Sequence, residues 1–437
     1  MTAGAVARHL AALPERAPLT CRGRVVELTG CVVRAVVDGV RHGEVVEIEA
    51  GPGRAIAAEV VGFRGEEAVL LPLGDPRGLA AGSSVAPTGR SLAIQVGRGL
   101  LGRVLDGLGR PLDGRALPPG LASWDVDRLA PAPLERARVE EPLASGVRVL
   151  DALLTLGVGQ RIGLFAGAGV GKSTLLGQIA RGAAADVVVV GLVGERGREV
   201  REFLEGALGA EGLARSVVVA ATSDSPALVR RKAAHVATAI AEWFAEVEGQ
   251  RVLLLVDSVT RFARAQREVG LAAGEPPARQ GYPPSVFAEL PRLLERAGGR
   301  RRGAITAVYT VLVAGGDMDE PIADEVRSIL DGHVVLERRL AERGHFPAID
   351  VLQSVSRVMP SVATARHLSL ARRARELLAA WERRRDLIAI GAYERGTDAD
   401  ADAAIDRIGA LEAFATQGDR ERGTLAEALG RLEEALA

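Results

Sequence analysis

Aromatic residues are scarce in this chain. Phe, Trp and Tyr together make up 3% of its 437 residues, so core packing must rest on Ala, Val and Leu. Sulfur is scarcer still, with two cysteines and three methionines. Cys21 and Cys31 have no His or Cys cluster beside them, which argues against zinc and leaves a pair of reduced structural thiols as the expectation. Neither charge is in excess: 55 Lys and Arg stand against 56 Asp and Glu, for a net charge of −1. Nucleic-acid-binding chains usually carry a basic excess or stripe, so no nucleic-acid partner is expected. No apolar run approaches the roughly 18 residues that a membrane-spanning helix needs. Met1–Leu13 lacks the charged start and apolar core of a secretory signal. A cytoplasmic chain with at most peripheral membrane contact is therefore expected.

What is present falls into three textures. A chain of this length suggests two or three domains. Between Arg22 and Thr88, short β-branched runs (Arg24–Leu28, Cys31–Val37, Glu44–Glu49, Ala55–Phe63 and Ala68–Pro72) alternate with Gly-containing turns, the pattern of a small antiparallel barrel or sandwich. The Gly/Pro-rich stretch Gly97–Pro119 reads as loops and a linker. From about Val147, apolar strand candidates alternate with helical segments: Arg161–Phe165, Asp186–Val193, Ser216–Ala221, Arg251–Val256, Ile305–Val313 and His333–Leu336. Near-continuous apolar runs of this kind suit a parallel sheet covered on both faces, with right-handed crossovers. After Pro360 the chain turns helical. Leu370, Ala374, Leu377, Leu378 and Trp381 fall at helical spacing, as do Leu425, Leu429, Leu432 and Leu436.

The sharpest chemical signal is Ala166-Gly167-Ala168-Gly169-Val170-Gly171-Lys172-Ser173, which follows a strand candidate and opens a helix at about Ser173. A phosphate needs successive backbone N–H groups aimed at it, and glycines permit that close approach. In such a loop the lysine neutralises the β/γ-phosphates, the hydroxyl ligates Mg²⁺, and the helix N-terminus adds its dipole. The strict pattern begins with Gly where this chain has Ala166. A second element should be a buried strand ending in an acid that reaches the metal's water shell, and Val252–Val256 followed by Asp257 fits. On its own, Asp257 also reads as a cap for a helix beginning near Thr260. Glu195 ends the apolar strand Val187–Val193, at the sheet edge where ligands bind. Position alone leaves it between a water-orienting group and a solvated loop acid.

These segments, with Gly194-Glu195-Arg196, Asp257–Ala265, Gly281–Phe287, Pro321–His333 and Ala341–Val351, resemble the type III secretion and flagellar export ATPases. Those are cousins of the catalytic β subunit of rotary ATP synthases. The resemblance implies an α/β fold: a RecA-like P-loop core at residues 93–362, a small N-terminal β-barrel at 1–92 with its first twenty or so residues flexible, and a C-terminal helical domain at 363–437. It also implies ATP and Mg²⁺ as cofactors. Gly167, Ala168, Gly169, Val170, Gly171, Lys172, Ser173 and Thr174 would bind the nucleotide's phosphates. Ser173 would ligate Mg²⁺, with Asp257 supporting the ion through water. Glu195 would polarise the attacking water, and Arg196 would lie near the γ-phosphate. Arg357, in Ser354–Pro360, matches an arginine finger supplied by a neighbouring subunit. Phe346 matches the aromatic that stacks on adenine, while its usual second aromatic partner has no clear counterpart here.

The function so implied is the ATP-hydrolysing motor of a bacterial type III protein secretion apparatus. It would be a homohexamer at the cytoplasmic face of the inner membrane, meeting a central stalk protein, a stator protein, an export gate and chaperone–substrate complexes. Asp317–Pro321 and Glu325–Ser328 lean towards the non-flagellar branch. Two alternatives belong to other classes. The first is the catalytic subunit of a rotary ion-translocating ATPase; non-catalytic subunits of those machines replace the acid at the position of Glu195 with Gln. The second is a hexameric nucleic-acid translocase, which needs an aromatic, basic single-strand-binding barrel. Residues 22–88 contain one aromatic, Phe63.

Overall fold

The computed structural model describes residues 22–437. The expected flexibility of the first twenty or so residues, and Cys21, lie outside them. The chain divides into two compact units that meet between Leu92 and Ala93.

The first unit is a closed antiparallel barrel of six strands: β1 (Gly23–Thr29), β2 (Val32–Val36), β3 (Val45–Glu49), β4 (Ala55–Arg64), β5 (Glu67–Pro72) and β6 (Ser84–Pro87). Their order is β1-β2-β5-β4-β3-β6, with β6 pairing back onto β1. Alternation explains the packing. In β3, Val46 and Ile48 face inward while Glu47 and Glu49 face water, and Val33, Val60, Leu70 and Val85 complete the filled interior. Five strands match the sequence reading; β6, four residues long, was hidden by its length. Cys31 is exposed and free at the β1–β2 turn, so it packs nothing, which corrects the reading of a structural thiol.

The second unit is built on a nine-stranded sheet. Along it run β14 (Ile349–Ser356), β13 (Gly332–Leu336), β8 (Arg161–Ala166), β12 (Ala304–Leu312), β11 (Arg251–Asp257), β9 (Val187–Glu195), β10 (Ser216–Thr222) and β7 (Arg103–Asp106), with the short Gly298–Gly299 on β12. The pairings from β13 to β7 are parallel, and β14 closes one edge antiparallel. Every residue of β9 is buried, as a strand covered on both faces requires. β7 overturns the reading of Gly97–Pro119 as loops alone. It pairs with β10, and its Arg103 is buried by a bidentate ion pair with Asp113. A strand of four residues that begins on an arginine gives no apolar run to read.

Seven helices position the site: α1 (Arg148–Leu153), α2 (Lys172–Gly182), α3 (Ala227–Glu246), α4 (Val259–Ala273), α5 (Ala365–Ala389), α6 (Ala399–Ala415) and α7 (Leu425–Leu436). Helix α5 buries His367, Ala371, Ala374, Leu377 and Ala380. Leu370, Leu378 and Trp381 are only partly buried, so the buried stripe runs through the small residues. Helix α6 was not anticipated. Asp398 starts it by accepting hydrogen bonds from the Asp400 and Ala401 N–H groups. Ala374, Leu377, Ala404, Leu411 and Leu432 belong to one hydrophobic core with Leu150, Leu175 and Ile179, so the C-terminal helices pack continuously with the sheet's own layers.

An ion pair sits inside this unit. Arg296 and Glu242, both 1% exposed, are joined by two hydrogen bonds of 2.8 Å. Arg296 also donates to the Val126 carbonyl at 2.8 Å. Removing one member of such a pair strands the other's charge away from water. Glu242→Ala is expected to destabilise this unit by about 3–5 kcal/mol in urea unfolding, whereas Glu242→Leu combined with Arg296→Met recovers most of the loss. A single variant within about 1 kcal/mol of the parent would show that the pair does not hold the fold.

Candidate functional site

The phosphate loop leaves the last residue of β8, Ala166, and enters α2 at Lys172. Gly169 and Gly171 have φ of 76° and 85°, the left-handed region where a Cβ is penalised. Their presence is thus dictated by the turn that aims the backbone N–H groups inward. The hydroxyl-bearing residues Ser173 and Thr174 lie exposed on the first turn of the 11-residue α2, where the helix N-terminus favours anions.

Two acids end adjacent strands beside this loop. Asp257 closes β11 and Glu195 closes β9, in a register that pairs Leu192 with Asp257. They are 3% and 6% exposed. The Lys172 ammonium forms an ion pair with Asp257 and lies 3.7 Å from Glu195 Oε1. The Thr310 hydroxyl donates to Asp257 Oδ1 at 2.7 Å. Helix α4 is capped by Ser258, whose side chain accepts from the Arg261 N–H, so the cap is Ser258 and Asp257 is left to face the loop. On the other side, Arg261 reaches Glu195 Oε2 at 3.0 Å and also donates to the Gly194 carbonyl.

Burial, a hydrogen bond shared with Glu199 and the charge of Asp257 push the Glu195 carboxyl up to about 8, against the pull of Lys172 and Arg261. Glu199 is held below the usual range, chiefly by that same hydrogen bond. Glu195 Oε1 is buried without a hydrogen-bond partner, and that orphaned acceptor fits a site built around a bound water. The residues also fit a nucleotide with Mg²⁺. The described residues contain no group of three or more His, Cys, Asp and Glu able to cage a metal. Mg²⁺ keeps several waters and takes one or two carboxylates plus substrate phosphates, a set that Asp257 and Ser173 could complete.

Phe346 lies over the far end of the loop. A Cβ built on Gly171 would stand 3.3 Å from its ring carbons, and the ring is 42% exposed. Its carbonyl accepts from the Gln417 N–H at 2.8 Å. The Gln417 side chain in turn accepts from the Arg148 N–H at 2.8 Å and donates to the Gly146 carbonyl at 2.9 Å. Arg196 directs an exposed guanidinium towards Glu199 at 3.6 Å. It also lines, with Arg230, Arg261 and Arg264, a basic cavity of about 300 Å³ that reaches Gly194.

Arg357 is elsewhere. Its N–H donates to the Asp331 carbonyl, and the Asp331 N–H donates to the carbonyl of Arg161, the first residue of β8. The phosphate loop leaves the other end of that strand, roughly 16 Å away at about 3.3 Å per residue. Lys172, Glu195, Asp257 and Phe346 therefore gather at one end of the sheet and Arg357 at the other. Sequence reasoning gave no role to Arg261, Thr310 or Gln417. Arg261 lay within a quoted motif, but only folding brings it to Glu195, and nothing local marks Gln417.

The ATP synthase alpha/beta family, nucleotide-binding domain, matches residues 146–356, and the beta-barrel domain of that family matches 25–89. The C-terminal domain of the T3SS EscN ATPase matches 363–434. The flagellum-specific ATP synthase of Bacillus subtilis is 56% identical over 87% of this chain and 86% of its own. The type 3 secretion system ATPase of Xanthomonas euvesicatoria is 54% identical over 90% and 89%. The chain belongs to the type III secretion and flagellar export ATPases. The assembled ATPase EscN of the enteropathogenic E. coli type III secretion system superimposes on it with TM-score 0.90 at 46% identity, over 95% of this chain and 100% of that one. The same ATPase in complex with its central stalk EscO gives TM-score 0.88. This ATPase thus has an N-terminal barrel, a RecA-like nucleotide-binding core and a C-terminal helical region, as anticipated.

The raised Glu195 pKa carries a stability signature. Its folded value lies above that of an unfolded glutamate, so the folded state keeps a proton that the unfolded state releases. Stability falls as pH rises from about 4.5 towards about 8, where the penalty is complete. Glutamine cannot ionise. In the nucleotide-free protein, Glu195→Gln is expected to raise Tm by a few °C at about pH 9 and hardly at all at about pH 5. A Tm difference that does not grow with pH in thermal melts would place the Glu195 pKa in the ordinary range.

Proposed function

We propose that this ATPase is the ATP-hydrolysing motor of a bacterial type III protein secretion apparatus, working as a homohexamer with Mg²⁺. The observation that carries the reading is the gathering of Lys172, Glu195 and Asp257 at one end of the sheet while Arg357 stands at the other. Such a chain holds one half of a hydrolytic site at each end, and head-to-tail contacts that close make a ring. The assembled state of EscN, and its complex with the central stalk EscO, support a ring and a stalk partner for this chain. A stator protein, an export gate and chaperone–substrate complexes complete the set of partners. The same reading divides the chain into a barrel at 1–92, an ATPase domain at 93–362 and a helical domain at 363–437. It places the motor peripherally at the cytoplasmic face of the inner membrane; no helix among the described residues is long and apolar enough to cross a membrane.

Gly167 to Gly171 cradle the phosphates with backbone N–H groups, Lys172 neutralises the β/γ-phosphate charge, and Thr174 holds the α-phosphate. Ser173 ligates Mg²⁺ and Asp257 holds its water shell; when bound, the ion screens charge on the transferred phosphoryl group. Phe346 stacks on the adenine. Glu195 orients the attacking water and accepts its proton, a task for which a pKa near the working pH is suited. Arg196 lies beside the γ-phosphate, and Arg357 of the next subunit stabilises charge that develops there.

Within the class we favour a non-flagellar apparatus, on the segments Asp317–Pro321 and Glu325–Ser328. Relatives of both kinds are about equally similar, so a gene neighbourhood encoding a needle supports that choice and one encoding a hook and filament overturns it.

Lys172→Ala is expected to abolish nucleotide binding. Glu195→Gln retains binding and loses about 10²–10⁴ in turnover, and Arg357→Ala assembles and binds but loses about 10³–10⁵. Mixing the Glu195→Gln and Arg357→Ala chains restores part of the activity, because some interfaces then join an intact Glu195 to an intact Arg357. No recovery in demonstrably mixed rings would rule out an arginine supplied in trans.

A further inference from the structure

Two leucines stand almost wholly in water beside a cavity lined with arginines. Leu129 is 90% exposed and Leu134 100% exposed, in the run Leu129-Ala130-Pro131-Ala132-Pro133-Leu134. Both ends of that segment are pinned. The Arg128 guanidinium lies over the Trp124 ring, 4.3 Å from its centroid, and pairs with Glu246 at 2.9 Å. Arg136 donates to the Ala297 carbonyl at 3.1 Å and pairs with Glu295 at 2.9 Å. Between these anchors Pro131 and Pro133 fix φ, so a stiff segment holds the leucines outward. A single exposed apolar side chain is ordinary, but two on a rigid segment beside a charged cavity mark a contact site.

The cavity, about 410 Å³, is walled by that segment and by Glu246, Arg300, Arg301 and Arg302. Its charge does not balance. Arg128, Arg296 and Arg300 share two carboxylates, those of Glu242 and Glu246. Among the described residues no acid pairs with Arg301 or Arg302, both exposed at the rim. Glu135, the remaining acid of the wall, accepts from the Ala132 N–H at 3.3 Å instead. The Arg300 side chain is 8% exposed, and its Nε is buried without a hydrogen-bond partner. Leaving such a donor unpaired is costly, and burial already works against the Arg300 charge by lowering its pKa. A carboxylate entering the cavity supplies the missing negative charge.

The nucleotide site lies far from this cavity. Arg302 stands just before Ala304, which begins β12, and the other end of β12 meets the phosphate loop, where the Val313 N–H donates to the Ala166 carbonyl. The nine residues of β12 hold the two ends roughly 26 Å apart at about 3.3 Å per residue.

We propose that this face docks a segment of a partner protein that carries acidic and apolar side chains together. Its carboxylates enter the arginine cavity, and its apolar groups cover Leu129 and Leu134. Charge complementarity selects the acids, and the leucines select a protein segment over a free anion. The cavity is recessed, which suits a projecting side chain better than a flat membrane surface. The stiff segment has little freedom left to lose on binding, so a small contact suffices. Docking requires neither the ring nor the roles given above to Lys172, Glu195 and Arg357.

The test uses the full chain and short rhodamine-labelled peptides, followed by fluorescence anisotropy. A repeating Glu-Leu-Ser peptide is expected to bind at least about tenfold more tightly than repeating Lys-Leu-Ser, and about fivefold more tightly than repeating Glu-Ser-Ser. Arg301→Glu combined with Arg302→Glu weakens it about tenfold. Leu129→Ser combined with Leu134→Ser weakens it about fivefold and leaves Glu-Ser-Ser binding unchanged. These positions are exposed, so both double variants keep the parent Tm and basal ATP turnover. Equal binding of the Glu- and Lys-bearing peptides, or indifference to either double variant, would overturn the docking face. Phosphatidylglycerol vesicles that displace the peptide from the parent, and do not bind the arginine variant, would assign the face to a membrane instead. Loss of self-assembly in the double variants, followed by mass photometry, would assign it to contacts between copies of this chain.

Discussion

Two carboxyl groups buried at neighbouring strand ends resist ionising together, which helps Glu195 keep its proton up to about pH 8, and the architecture of the second unit answers that crowding. Asp257 and Glu195 end β11 and β9 in a register that holds them close. Breaking a buried charge pair by removing one partner typically costs about 3–5 kcal/mol, so each acid needs a cation delivered from elsewhere. Lys172 comes from the loop after β8, and Arg261 comes from the first turn of α4. For both to arrive, β8, β9, β11 and the start of α4 must share one parallel register, with Thr310 on β12 completing the shell of Asp257. The arrangement falls one hydrogen bond short, at Glu195 Oε1, where a polar group of a bound ligand would be accommodated.

The same accounting extends to the C-terminal helices. They share one apolar core with α1 and α2, and they reach the site through polar contacts as well. Gln417 spans the Phe346 backbone, Gly146 and Arg148, while Gln178 of α2 donates to the Gly418 carbonyl at 3.0 Å. The ring that covers Gly171 is therefore positioned from the last helical region as much as from its own segment. A displacement of that region would be felt at the edge of the phosphate loop without any change in Lys172 or Asp257.

Legibility in the sequence followed the range of the physics involved. The phosphate loop and the strands β8 to β12 could be read because their signals are local: glycines where φ turns positive, and unbroken apolar runs where both faces are covered. β7 could not, because it is short and its first side chain is an arginine made burial-tolerant by Asp113, ten residues away. β14 escaped because, as an edge strand, it mixes exposed Leu352, Gln353 and Val355 with buried neighbours. Glu195 stayed ambiguous for a different reason. Its surroundings are supplied by Lys172, Glu199, Asp257 and Arg261, three of which stand far along the chain. Cys31 misled because a thiol's burial is a property of the turn it occupies, and that turn is on the surface.

The closure of the N-terminal barrel has a consequence for crowding. All six strands have two hydrogen-bonded neighbours, so among the described residues no strand of the barrel is an open edge. Open edges are what let β-rich chains add strands to one another and aggregate. Wherever copies of this chain are held close together, their described barrel strands offer no open edge for strand addition. The barrel can thus sit at high local concentration without becoming a template for its own misassembly.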